Sequence, residues 1–473
     1  QIHESLIWES HVSSNLFGKE GVSGLVNVDL TPETAVRLAA ALGTALKRGA
    51  RVVASRESPA ACRMIKRAMI SGLNSTGVNV ADLRVLPASV SRHLLKSEGY
   101  DAGFHIGVSY SDPEVLEIRF YEQPGIQLTA ALQKEIEKHY TRFEFRRAAF
   151  NEVGSVTYPA RVRESYAQDL LAGLDVEAIR ARGYRIVVDY GYSATSYVLP
   201  LLIGPLGAEA VSAHGFSADS SEPPTGLREA VGQAKRLVSA IGADLGVVFD
   251  RAGERLFLID EQAREIPVEQ TLLLFLRLMG SDGRQGKLAF PITVTSHVDE
   301  LVKGSELEVI RTPASLAELT KAAAGDGVIF AGAVGGGYVF PEFLPAYDAV
   351  ASLCKLLELL APVERPLSEL VAELPASTLV HRQVPCPWSL KGTVMRVLTE
   401  RLRDREVDLL DGIKIFDERG WAQILPDPDE PLVHIYAEGA TEEASAELEA
   451  ELRALVEEIM ETEGETAAAR ASS

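Results

Sequence analysis

The chain has 473 residues, 46% of them apolar and 24% charged, so it is several times the ~150 residues of one compact unit and has the composition of ordinary globular protein. Three or four units are expected, and disorder or low complexity is excluded. A formal charge of −20 would repel a phosphate backbone, which excludes nucleic acid as a main partner.

At the amino end, Gln1-Ile2-His3-Glu4-Ser5 shows no basic stretch leading into an apolar core, so no secretory signal is read there. The lack of a starting methionine leaves open that this is a piece of a longer chain. The segment from residue 22 reads as a loop and then a helix, with Thr31 as cap, Pro32 in the first turn, and Leu38, Leu42 and Leu46 at helical spacing. An apolar strand at 52–54, a helix at 60–73 and a strand at 83–86 follow.

The rhythm returns with a strand at 185–189, a helix at 199–206 and a strand at 245–249 ending on Asp250. It comes back a third time over 271–330, with strands near Leu288 and Val309. The longest apolar run, 271–280, is broken by Arg277 and falls short of the ~20 residues that span a bilayer. Repeated βα units predict an α/β protein with several mixed, mostly parallel sheets. From Ser377 the pattern becomes a smaller α+β unit: a helix at 393–403, a strand at 413–416, a turn at 417–420, and strands around Trp421 and Val433. The glutamate-rich tail, 441–463, places Leu448, Leu452 and Leu455 along one face and reads as an exposed helix with a frayed end. Cys62, Cys354 and Cys386 are far apart and lack zinc spacing, which suits a reducing cytoplasm.

Ligands bind at strand ends in such sheets, and four loops there carry candidate chemistry. The first holds Ser109 after the strand ending at Val108, where a serine can carry a phosphoryl group or simply belong to a polar turn. The second, Asp250-Arg251-Ala252-Gly253-Glu254-Arg255, offers Asp250 and Glu254 to a hard cation, with Arg251 and Arg255 as competing charges that would make an ion-paired turn. The third, Gly332-Ala333-Val334-Gly335-Gly336-Gly337-Tyr338, does not open a helix and so is a poor dinucleotide loop. The fourth, Leu425-Pro426-Asp427-Pro428-Asp429-Glu430-Pro431, reads as a rigid acidic turn poor in donors for an anion.

In order, these loops resemble those of the α-D-phosphohexomutases, the phosphomannomutase and phosphoglucomutase family, over nearly the whole chain. Phe17-Gly18-Lys19-Glu20-Gly21-Val22-Ser23-Gly24 is similar to that family's opening Phe-Gly-Thr-Asp-Gly-Ile-Arg-Gly. The stretch 106–113 lies over Ile-Thr-Ala-Ser-His-Asn-Pro-Pro and 249–257 over Phe-Asp-Gly-Asp-Ala-Asp-Arg-Leu-Phe. The resemblance implies four domains around a central cleft: 1–157 with the phosphoserine loop, 158–262 with the metal loop, 263–372 with the sugar loop and 373–440 with the phosphate loop, then an acidic helix and tail at 441–473. It implies Ser109 as the phosphoserine, Asp250 and Glu254 as magnesium ligands, and Arg255 and Tyr338 as substrate contacts.

The departures are as informative. Tyr110-Ser111-Asp112 replace His-Asn-Pro, Ala252 replaces the central metal aspartate and weakens any Mg2+ site, and the family's general-base lysine falls on Arg119, which stays charged and cannot readily accept a proton. The sugar loop has lost its Glu, Ser and His, and acids occupy the phosphate loop. These changes point to a degenerate mutase, a regulatory or structural module binding a sugar phosphate or nucleotide sugar and similar to the mutase-like half of fusions with a sugar-phosphate nucleotidyltransferase. The alternative is an active mutase working through phospho-Ser109.

Overall fold

The computed structural model describes residues 16–19, 21–109, 112–216, 226–281 and 283–471. Tyr110, Ser111 and Glu20, which entered the motif comparison, lie outside the described residues, as does the amino end. Four sheets organise the chain. In the first, parallel strands Arg51–Arg56, Asn79–Val85 and Ala102–Val108 form the centre, and Val115–Glu122 runs antiparallel to Ala102–Val108. Helix Pro32–Ala45 begins where the sequence places it, because the Thr31 side chain accepts from the Thr34 N–H. The stretch read as a loop before it contains the strand Val22–Leu25, paired with Val115–Ile118 at the sheet edge. A four-residue strand with a glycine in it is too short to show a period of two.

The second sheet is ordered Glu265–Ile266, Leu256–Asp260, Leu245–Phe249, Arg185–Asp189, Glu209–Ala213, and the third Leu307–Thr312, Gly286–Pro291, Val328–Gly332, Tyr338–Val339. The apolar run becomes helix Val268–Ser281, whose Leu272 to Leu276 are buried in a core shared by the first three units. No helix among the described residues is long and apolar enough to cross a membrane. The expected helix at 199–206 is shortened to Pro200–Ile203, preceded by a 3₁₀ turn at Ala194–Tyr197.

The fourth sheet is antiparallel, in the order Val380–Pro385, Leu432–Gly439, Gly420–Pro426, Ile413–Asp417, Val407–Asp408. Helices Trp388–Arg401 and Glu442–Ala471 pack against it. The acidic helix is therefore no exposed appendage: Leu448, Leu452, Val456 and Ile459 are buried against the strands. Glu442, Glu443, Glu447, Glu457, Glu458 and Glu461 are exposed and mask that inner stripe in the composition.

The fourth unit is fastened to the third through Glu438. That carboxylate accepts from Ser296 N (2.8 Å), Ser296 Oγ, Thr295 Oγ1 and Trp421 Nε1 (2.7 Å). Beside it Lys414 donates to the Ile292 carbonyl at 2.7 Å and lies over the Trp421 ring. Burial pushes the Lys414 ammonium down to about 7.

Candidate active site

Ser109 stands at the end of Ala102–Val108, half-buried, with its N–H donating to the Val115 carbonyl at 2.9 Å. Alternate residues of a strand share a face, so His105 and Gly107 line up beneath it, opposite Arg119 and Glu117 of the partner strand. Gly107 has no room for a side chain: a Cβ there would come within 2.6 Å of the Glu57 carboxylate. His105 is buried with Nδ1 2.8 Å from Ser55 Oγ, and burial, reinforced by Arg119, pushes its imidazole down to about 3. It stays neutral at physiological pH.

The metal-loop position lies across from this strand. Gly253, at a φ of +72°, turns the loop tightly, and Asp250 Oδ1 accepts from the N–H groups of Glu254 (2.8 Å) and Arg255 (2.9 Å). Burial raises the Asp250 carboxyl. Of the two arginines expected to neutralise this turn, Arg255 draws the Asp250 carboxyl down against burial, while Glu254 is paired by a third. Glu254 accepts from Arg119 Nη1 at 2.6 Å, while the same guanidinium reaches Glu117 through Nη2 at 2.7 Å. Arg251 turns away to Glu57, 2.9 Å from its Oε2. Burial pushes the Glu57 carboxyl up to about 7, against the pull of Arg251 and Arg119.

Magnesium, which the resemblance implies here, wants near-octahedral oxygen ligands. Ala252 offers none, Asp250 Oδ1 is committed to backbone donors, and Glu254 is held by a guanidinium. Among the described residues no group of three or more histidine, cysteine or carboxylate side chains converges to hold a metal. The donors present do not fit the ion; Arg119 supplies the positive charge instead.

The glycine loop docks on this turn through its backbone. Leu256 N–H donates to the Gly336 carbonyl at 3.0 Å, and Arg255 bridges to Gly337. Gly337 lies flat against Tyr347, where a Cβ would meet ring atoms at 2.6 Å. The glycines thus serve close packing, with Arg255 half-buried beside them. Tyr338, expected at the substrate, is turned into the core: it packs on Phe275 and Phe330 and its hydroxyl donates to the Val268 carbonyl. The residue is 1% exposed, so it does not reach the cleft.

The fourth loop corrects the reading as donor-poor. Donors do converge there, on the Asp427 carboxylate: Asp429 N–H (2.8 Å) and Glu430 N–H (2.9 Å) on Oδ1, Lys19 Nζ (2.6 Å) and His434 Nε2 (2.8 Å) on Oδ2. A carboxylate only accepts, so His434 carries its hydrogen on Nε2, and its Nδ1 faces His381 Nε2 at 2.9 Å. Burial would raise the Asp427 carboxyl, but the hydrogen bonds from Lys19, His434 and the Asp429 N–H hold it well below the usual carboxylate range. Lys19 N–H also donates to Asp429 Oδ2 at 2.8 Å. Sequence reasoning missed Glu57, Glu117, Lys19 and His434 as members of these clusters. A strand-end acid immediately after 51–56, and a lysine inside the opening motif, were the available signals.

Comparison with known proteins agrees with this architecture. Residues 14–147, 164–263 and 268–378 match, in order, the alpha/beta/alpha domains I, II and III of phosphoglucomutase/phosphomannomutase. A Methanopyrus kandleri protein named "Probable phosphoglucosamine mutase" is 30% identical over 431 residues, 90% of this chain and 94% of that protein. A Thermococcus kodakarensis "Phosphoglucomutase/phosphomannomutase" is 30% identical over 439 residues, 90% and 95% of the two chains. In fold, a phosphoglucomutase/phosphomannomutase family protein from Burkholderia thailandensis superposes with a TM-score of 0.82 at 20% identity, covering 95% of this chain and 98% of that one. The Aspergillus fumigatus N-acetylphosphoglucosamine mutase, solved with GlcNAc-6P and magnesium, gives 0.58 at 12% identity, covering 94% and 95%. The match along three successive domains and the full-length relatives lead to one conclusion: this chain belongs to the phosphoglucomutase/phosphomannomutase family, the α-D-phosphohexomutases.

Proposed function

We propose that this family member is weak or inactive as a mutase and works as a regulatory or structural module of a sugar nucleotidyltransferase, fused or associated, in sugar-phosphate and nucleotide-sugar metabolism. The observation that carries this reading is Arg119, whose guanidinium joins Glu117 to Glu254. Moving a phosphoryl group between a serine and a sugar hydroxyl needs a group to take the hydroxyl proton and positive charge to steady the phosphoryl oxygens. Arginine supplies charge but accepts no proton. By holding Glu254 it also occupies the carboxylate a divalent ion would need. The glycine loop adds no side chain to grip sugar hydroxyls.

A second reading, an active phosphotransferase interconverting hexose 6-phosphate and hexose 1-phosphate through phospho-Ser109, is favoured by one observation: Ser109 follows the strand Ala102–Val108, whose neighbouring strand carries the Arg119 that reaches Glu254. In that reading Asp250 and Glu254 would hold magnesium only after Arg119 has left Glu254. A coupled mutase assay with glucose 1-phosphate, mannose 1-phosphate and glucosamine 1-phosphate separates the two, together with intact-mass analysis for a phosphate lost in Ser109→Ala. The first reading expects no Ser109-dependent turnover; turnover abolished by Ser109→Ala would overturn it.

A further inference from the structure

The converging donors at the fourth loop have a property that the loss of mutase chemistry does not require. Two adjacent backbone N–H groups, an ammonium and an imidazole N–H aimed at one point make the donor set of an anion cradle. Here that point is filled by Asp427 of the fourth unit, while the ammonium comes from Lys19 of the first. The loop is braced from below by Lys391, which donates to the carbonyls of Asp427 and Glu430. Three prolines, Pro426, Pro428 and Pro431, restrict its backbone. Asp429 adds a second tie to the Lys19 backbone.

We propose that Asp427 is a tethered competitor for a phosphoryl dianion: its carboxylate occupies the cradle, pins the fourth unit to the first, and must be displaced before the phosphoryl group of a sugar phosphate can enter. A ligand held on the same chain acts at an effective concentration of roughly millimolar or above, so free phosphate esters at lower concentration are kept out. Yet the contact is open to exchange, because the Lys19 side chain is 42% exposed while Asp427 is 7% exposed. Water and salt reach the Lys19 side chain, so its half of the contact can exchange, while Asp427 keeps His434 and two backbone N–H donors. Ligand entry and release of the Lys19 contact are therefore one event. This inference rests on the site's being a phosphohexomutase centre: mutase turnover by the wild type would undo the proposed loss of chemistry and leave the competition intact.

The test is titration calorimetry of the full chain with inorganic phosphate. Asp427→Ser removes the tethered anion and keeps the backbone donors, and should bind phosphate at least about tenfold more tightly than wild type, a difference of ~1.4 kcal/mol. Adding Lys19→Met in that background should abolish the gain. Equal affinity of wild type and Asp427→Ser, or a gain that survives loss of Lys19, overturns the proposal. Thermal unfolding run alongside establishes that each variant is folded, and Asp427→Asn, judged by the same criteria, replaces the serine variant if that one is not.

Discussion

The junction at Arg119 and the junction at Lys19 each join two units through opposite charges, but water reaches them very differently. The Arg119 and Glu254 side chains are 10% and 5% exposed, whereas the Lys19 ammonium stands half in solvent. Removing one partner from a sealed pair strands a charge where it cannot be rehydrated. Removing Lys19 from the half-open pair leaves Asp427, 7% exposed, still held by His434 and two backbone N–H groups, so little charge is stranded. The same Coulombic motif is thus a permanent structural tie in one place and an exchangeable contact in the other.

Arg119→Met is the severest probe of this contrast. It leaves Glu117 and Glu254 buried without their cation and should cost about 3–5 kcal/mol in urea unfolding; a loss near that of a surface pair would put both junctions in one class. A pH experiment on the sealed side comes next. Burial raises the Glu57 carboxyl from 4.5 to about 7, so the folded chain binds the extra proton between those values. The stability from that proton is full below pH 4.5 and is lost as pH rises through about 7. Wild type should therefore lose on the order of 2 kcal/mol relative to Glu57→Gln between about pH 4.5 and 8, and parallel pH profiles of the two proteins would contradict the burial assigned to Glu57. Smallest is Lys19→Met, expected to cost about 0–1 kcal/mol and to vanish in ~1 M salt, where screening shortens to ~3 Å. A large, salt-independent loss would make the Lys19 contact as structural as the other.

Much of the scaffold was legible because it is local. Thr31 and Pro32 mark a helix start, and the aliphatic runs at 185–189 and 245–249 mark strands buried on both faces. The loops at Ser109, Asp250 and Glu254 were found because they follow such strands. Their partners were not, since Arg119 and Glu254 are 135 residues apart in sequence and Lys19 and Asp427 408 apart, and no period links positions at such distances. Proximity misled at the metal loop: Arg251 lies next to Asp250 yet pairs with Glu57. At Tyr338 the family position suggested a ligand contact, while packing on Phe275 and Phe330 governed where the ring went.

The burial of Leu448, Leu452, Val456 and Ile459 also sets an order in time. The antiparallel sheet of the fourth unit takes much of its apolar cover from a helix that follows all of its strands in the chain, while the first three units have their strands and helices in hand much earlier. During synthesis, as units fold from the amino end, Val433, Ile435 and Ala437 lack this part of their cover until residue 459 has emerged. A chain cut short before Leu448 would keep part of that face bare, and its nascent product would be a natural client for chaperones.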